Sequence, residues 1–180
     1  MKKFLKFAGI ISLALAAVAF ILMMATPAVV GTAKALGQTS ITNLNGVNAI
    51  FGKGSDLSAA ELLWFANGDG KIVLSVTSLI GWILLLAGLI IVCLGVILPL
   101  LKINALEKFA GILNLIAVIA FVLAGVFMFL VVATIYGAND RDVADGAAIG
   151  AGWVIGGILA IAAGVIAILP AVMDFIGKKK

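Results

Sequence analysis

The chain has 180 residues, 64% of them hydrophobic and 11% charged, with a mean hydropathy of +1.32. A soluble domain of this length is about half apolar and a quarter charged, so the apolar excess must face something other than water. The formal net charge of +4 comes from basic residues beside apolar runs, which points to lipid headgroups and away from nucleic acid.

The chemistry is narrowed in the same way. There is no histidine, which removes the commonest general base and the commonest transition-metal ligand. Cys93 is the only cysteine, so no intrachain disulfide can form, and its apolar neighbours make it a small hydrophobe. No G-x-S-x-G, H-E-x-x-H or Walker A pattern occurs, and "FGKGSD" lacks the Walker spacing. A non-enzymatic protein without cofactor is expected.

Four apolar stretches, 7–30, 72–101, 109–136 and 148–172, can cross a hydrocarbon core about 30 Å thick, which takes about 20 helical residues. None has a charged residue in its interior. Backbone amides in lipid must be satisfied within their own segment, so each stretch reads as a helix. The fold class is therefore an all-α membrane protein, a single four-helix transmembrane bundle over 1–180.

The first stretch follows Lys2, Lys3 and Lys6 and carries small or slender residues at Gly9, Ser12, Ala16, Ala19, Met23 and Thr26. With Ala33-Lys34-Ala35 downstream, this start also fits a signal peptide. Its apolar run is longer than the usual signal core, so an uncleaved span is expected. The loop 31–71 comes next. In "SITNLNGVNAIF", Asn45-Gly46 is a type I′ turn signal and predicts a hairpin with Leu44 facing Val47, Asn43 facing Asn48 and Ile41 facing Ile50. Two strands alone are marginal, so they must pack on the helix tops or pair with another chain. Ser58-Ala59-Ala60-Glu61 then fits a capping box and predicts a short helix stopping at Asn67-Gly68. That helix carries Leu62, Leu63, Trp64 and Phe65, with Trp64 and Phe65 expected as interfacial anchors or as filling for the top of the bundle.

Glycines seven apart in the second stretch (Gly81, Gly88, Gly95) and alanines seven apart in the third (Ala110, Ala117, Ala124) mark close helix packing in a left-handed bundle. Asn114 is a polar residue inside the third stretch, and an interhelical hydrogen bond is its expected role, with a substrate contact as the alternative. The loop 137–147 holds Asp140, Asp142 and Asp145 around Arg141, which predicts a solvated turn with a local Arg–Asp pair; a calcium site is the alternative. In the fourth stretch Ala148, Gly152, Gly156, Ala160 and Gly164 recur every four residues. That ladder suits a close crossing, inside the bundle or as an oligomer face.

Eight lysines, namely Lys2, Lys3, Lys6, Lys102, Lys108, Lys178, Lys179 and Lys180, fall on one side of this layout. The positive-inside rule then puts both termini in the cytoplasm and the loops 31–71 and 137–147 outside a cell membrane. This organisation resembles the claudin-like tetraspans, which have a long first outer loop with β structure and an extended third helix. The sequence echo is Leu62-Leu63-Trp64, where that family has Gly-Leu-Trp followed by two cysteines. Here Leu62 replaces the Gly and the cysteines are absent, so the resemblance implies topology and not paracellular barrier function. The lysine-rich start also looks like that of small multi-pass proteins of low-GC bacteria.

No acidic or basic side chain sits near the middle of a span, which argues against a proton- or ion-coupled transporter. The expected function is a scaffold, assembly subunit or cell-surface interaction protein. Its partners are the lipid bilayer, further copies of itself or another membrane protein. A small channel or transporter component formed by oligomerisation is the alternative.

Overall fold

The computed structural model describes residues 2–35, 38–100 and 110–177. It contains four helices long and apolar enough to cross a membrane, together with a small three-stranded sheet. In chain order the elements are α1 (Lys2–Ala25), β1 (Pro27–Ala35), β2 (Gln38–Asn45), α2 (Gly46–Phe51), α3 (Ala59–Trp64), α4 (Val76–Leu100), α5 (Ala110–Phe129), α6 (Val131–Ala138), β3 (Ala147–Ile149) and α7 (Ala151–Gly177). Helix α7 packs on α1 and α5, and α4 closes the bundle against α5 and α1. Only 22% to 39% of each apolar window is buried inside the protein, so the bundle presents most of its apolar side chains outward.

Gly81, Gly88, Ala117 and Ala124 of the series spaced by seven lie at close helix contacts, as expected. A Cβ on Gly88 would stand 2.5 Å from the Phe121 ring, and one on Gly81 would stand 3.1 Å from Phe127. Ala117 and Ala124 are fully buried opposite them. The backbones of α5 and α7 also come close, and a Cβ on Gly125 would stand 2.7 Å from the Gly157 carbonyl. Ser12 of α1 donates to the Ala163 carbonyl of α7 at 2.8 Å, which satisfies a hydroxyl otherwise stranded in the core.

The helix ends depart from the expected spans. The stretch 7–30 is not all helix: α1 stops at Ala25, because Pro27 has no N–H to continue the ladder and disfavours helix at Thr26. Residues 27–35 instead form β1. The stretch 72–101 becomes helical only at Val76, where Ser75 Oγ accepts from the Ser78 N–H as a cap. The third stretch is interrupted at Leu130 between α5 and α6. The fourth helix begins at Ala151, so Ala148 belongs to β3 and not to the helical ladder.

The expected hairpin is also replaced. Asn45-Gly46 makes no two-residue turn; β2 pairs antiparallel with β1, from Ala35↔Gln38 to Pro27↔Asn45, with a bulge between Pro27 and Val29. Asn45 instead caps α2 by accepting from the Asn48 N–H at 2.9 Å. Asn suits both roles, and the long pairing with β1 decides between them. β3 joins the other edge of β1 through Val29↔Ile149, Val30↔Ala148 and Gly31↔Ala147. Sheet, α2, α3 and α6 together form a platform over the end of the bundle opposite Lys2 and Gly177.

Candidate functional site

The platform is the most elaborately hydrogen-bonded part of the protein, and α3 is its clearest local structure. Ser58 Oγ accepts from the Glu61 N–H at 3.2 Å, while the Glu61 carboxylate accepts from the Ser58 N–H at 2.9 Å. This is the capping box read from the sequence. Lys53 Nζ completes it with a salt bridge to Glu61 at 3.0 Å. Burial pushes the Glu61 carboxyl up, but the Ser58 and Lys53 hydrogen bonds and the Lys53 charge outweigh it, so its pKa falls below the ordinary value.

α3 turns its four large apolar residues in two directions. Trp64 is 9% exposed and Phe65 is buried, whereas Leu62 and Leu63 are exposed, Leu63 to 70%. The Trp64 indole lies over Gly31 of β1, where a Cβ would come 2.5 Å from the ring. Phe65 meets Tyr136 edge-on with ring centres 6.4 Å apart. Trp64 and Phe65 therefore fill the platform from within and do not stand at its surface as anchors.

Three side chains make four long-range hydrogen bonds among the platform loops and the helix ends beneath them. Trp153 Nε1 donates to the Met23 carbonyl at 3.0 Å. Asn139, 2% exposed, accepts from the Val73 N–H at 2.8 Å and donates Nδ2 to the Ile135 carbonyl at 2.8 Å. Arg141 Nη1 donates to the Ala66 carbonyl at 3.0 Å and the Leu62 carbonyl at 3.4 Å, which satisfies the free carbonyls at the end of α3. Arg141 thus replaces the expected local Arg–Asp pair with a cap on the other loop. Periodicity gives no sign of these three residues. Their only sequence signals are an indole opening a helix, an Asn at a helix stop, and a lone arginine among aspartates.

An open cleft of about 620 Å³ lies between the two loops, lined by Leu62, Asn67, Asp69, Asn139, Asp140 and Arg141, among others. Among the described residues no three acidic or thiol groups converge to hold a metal ion, and Asp140, Asp142 and Asp145 form no calcium cage. Asn114 faces α4, where a Cβ on Gly95 would lie 3.8 Å from its Oδ1. Cys93 is half-buried on α4.

The α7 ladder lies against neighbouring helices. Gly152 meets the Thr26 side chain, and Gly156 meets Met128, Leu22 and the Ala19 carbonyl. Ala160 is fully buried, and Gly164 meets Val122, Phe121 and the Val118 carbonyl. These residues are helix-packing positions within one chain.

The chain matches no protein-family model, and no curated protein matches it.

Proposed function

We propose that this is a non-enzymatic, multi-pass cell-membrane protein whose platform serves as an interaction surface for assembly. Both termini lie in the cytoplasm in this reading, and the platform lies outside. The observation that carries it is the investment in the platform: a capping box, an ion pair and four long-range hydrogen bonds tie the two loops to each other and to the helix ends beneath them. A loop that merely connected helices would need none of these. β2 offers the docking feature. It is an edge strand without charge or proline, with Gln38 to Ile41 exposed, and edges of that kind invite pairing with another strand.

Crosslinking through cysteines placed on β2 in native membranes tests this reading, with recovery of a homomer or a specific membrane partner as the expected result. Purified protein that passes ions or small solutes in liposomes would overturn it in favour of a channel. Orientation is read from Ser40→Cys and Asp142→Cys, both of which should label from outside the cell.

A further inference from the structure

We infer that α2 is a membrane-surface helix whose Val47 and Phe51 side chains insert among the acyl chains of the adjacent leaflet. This rests on the membrane reading above and deepens it, because it takes part of the long loop out of water.

α2 runs from the end of one apolar helix to the start of another. At its beginning, the Gly46 N–H donates to the Thr26 carbonyl at 2.9 Å, just past the last turn of α1. At its end, a Cβ on Gly52 would come 2.7 Å from the Ile72 carbonyl and 2.9 Å from the Leu74 N–H, on the approach to α4. Lys53 and Ile72 then exchange both backbone hydrogen bonds, at 2.8 and 2.9 Å. The short helix is therefore pinned at both ends at the level where α1 stops and α4 starts.

Its faces are divided as an interfacial helix requires. Gly46, Ala49 and Ile50 are buried against the protein. Val47 and Phe51, one turn apart on the same side, are 41% and 46% exposed. The segment Gly46–Phe51 carries no charge.

Depth comes from the ring contacts. Phe51 meets Trp82 edge-on with ring centres 5.4 Å apart, and Phe20 lies 6.3 Å from the same indole. Trp82 stands six residues into α4, about 9 Å from its start, and Phe20 stands five residues from the end of α1, about 8 Å in, at 1.5 Å per residue. Both helices agree on the level. α4 has 25 residues, about 37 Å at that rise, so it exceeds a core of about 30 Å by only a few ångström at each end. The Phe51 ring thus reaches past the headgroups. Water at that level would face a surface of Phe51, Val47 and the uncharged flanks of α4 and of the Phe7–Ala25 part of α1, whereas acyl chains match it.

The test is thiol accessibility in nanodiscs, which expose both membrane faces to reagent. In a Cys93→Ala background, Val47→Cys and Phe51→Cys are compared with Ser40→Cys on the platform edge and Ile83→Cys on the outward face of α4. The probe is a charged, membrane-impermeant methanethiosulfonate. Hydrocarbon raises a thiol pKa by a unit or more, so both α2 cysteines should react on the order of tenfold more slowly than Ser40→Cys. Full reaction is expected after denaturation in SDS. Val47→Cys keeps the Phe51–Trp82 contact, so it reports even if Phe51→Cys misfolds. Labelling of Val47→Cys as fast as Ser40→Cys, with Ile83→Cys protected, overturns the insertion of α2 while the membrane reading stands. Fast labelling of Ile83→Cys as well overturns both.

Discussion

The indole N–H of Trp153 donates to the main-chain oxygen of Met23 at 3.0 Å, and that oxygen is available because of the residue four positions later. In a continuing helix it would accept from position 27, but Pro27 has no N–H to give. One proline thus ends α1, frees a buried carbonyl, and is answered by a side chain 130 residues away. Replacing the indole with a phenyl ring leaves the carbonyl without this donor. Trp153→Phe should cost about 1–3 kcal/mol, the range for stranding a buried polar group. Trp82→Phe is the control, since it makes the same ring change at an indole N–H that has no hydrogen-bond partner among the described residues. Equal losses for the two variants, measured by SDS titration in mixed micelles, would refute a role for the Met23 bond.

Gly46 closes the same corner by steric means. A Cβ there would overlap the Met23 carbonyl oxygen and stand 3.1 Å from Trp153 Nε1. Neither neighbour yields easily, because one is backbone and the other is held by it. Gly46→Ala is expected to destabilise by about 1–3 kcal/mol, as overpacking does. Gly54, with nothing within 4 Å of its Cβ position, should accept alanine within about 0.5 kcal/mol. The same SDS titration separates the two.

Acid should loosen α3 before it affects the bundle. Glu61 titrates below its ordinary value of 4.5 in the folded protein. A carboxyl with a depressed pKa contributes stability that is fully present above 4.5 and is lost as pH falls through the lower folded value. Amide-exchange protection at Leu62 and Phe65, whose N–H groups bond to Ser58 and Glu61, should therefore fall across that window. Glu61→Gln should start with weaker protection at neutral pH and show little further loss. A wild-type profile flat down to pH about 2 would rule out the carboxylate as the source, given the size of typical carboxyl shifts.

The four long helices were legible because uncharged apolar runs leave few alternatives, and the capping box because its partners are three residues apart. The platform was less so. Val29 and Val30 continue the apolar run of α1 because the first half of β1 is buried or half-buried too, so composition alone does not separate the tail of a span from a core strand. Pro27 held the needed signal, and it outweighs the hydropathy around it. Asn45-Gly46 suits a turn or a helix start equally, and only the partner strand upstream decides. Arg141 and Trp153 find their acceptors 75 and 130 residues away, a distance at which no local pattern operates. The corner at Gly125 carries no such signal, because this glycine stands outside the third stretch's series of alanines spaced by seven.

That corner yields the last prediction. A Cβ on Gly156 would come 2.6 Å from Met128 Cε, the free end of a flexible side chain that can swing away. A Cβ on Gly125 would come 2.6 Å from Ile161 Cγ1 and 2.7 Å from the Gly157 carbonyl, and the carbonyl is held in the α7 ladder. Gly125→Ala should therefore cost about 1–3 kcal/mol, and Gly156→Ala less than about 1.5 kcal/mol. Gly156→Ile is different again, because a branched side chain must also clear Leu22 and the Ala19 carbonyl, so it should destabilise the single chain by more than either alanine. Any loss of self-association in that variant should follow from loss of fold. If Gly156→Ile instead kept full stability in the SDS titration and abolished crosslinked homomers, the ladder would be a seam between chains, and its placement against α1 and α5 would be wrong.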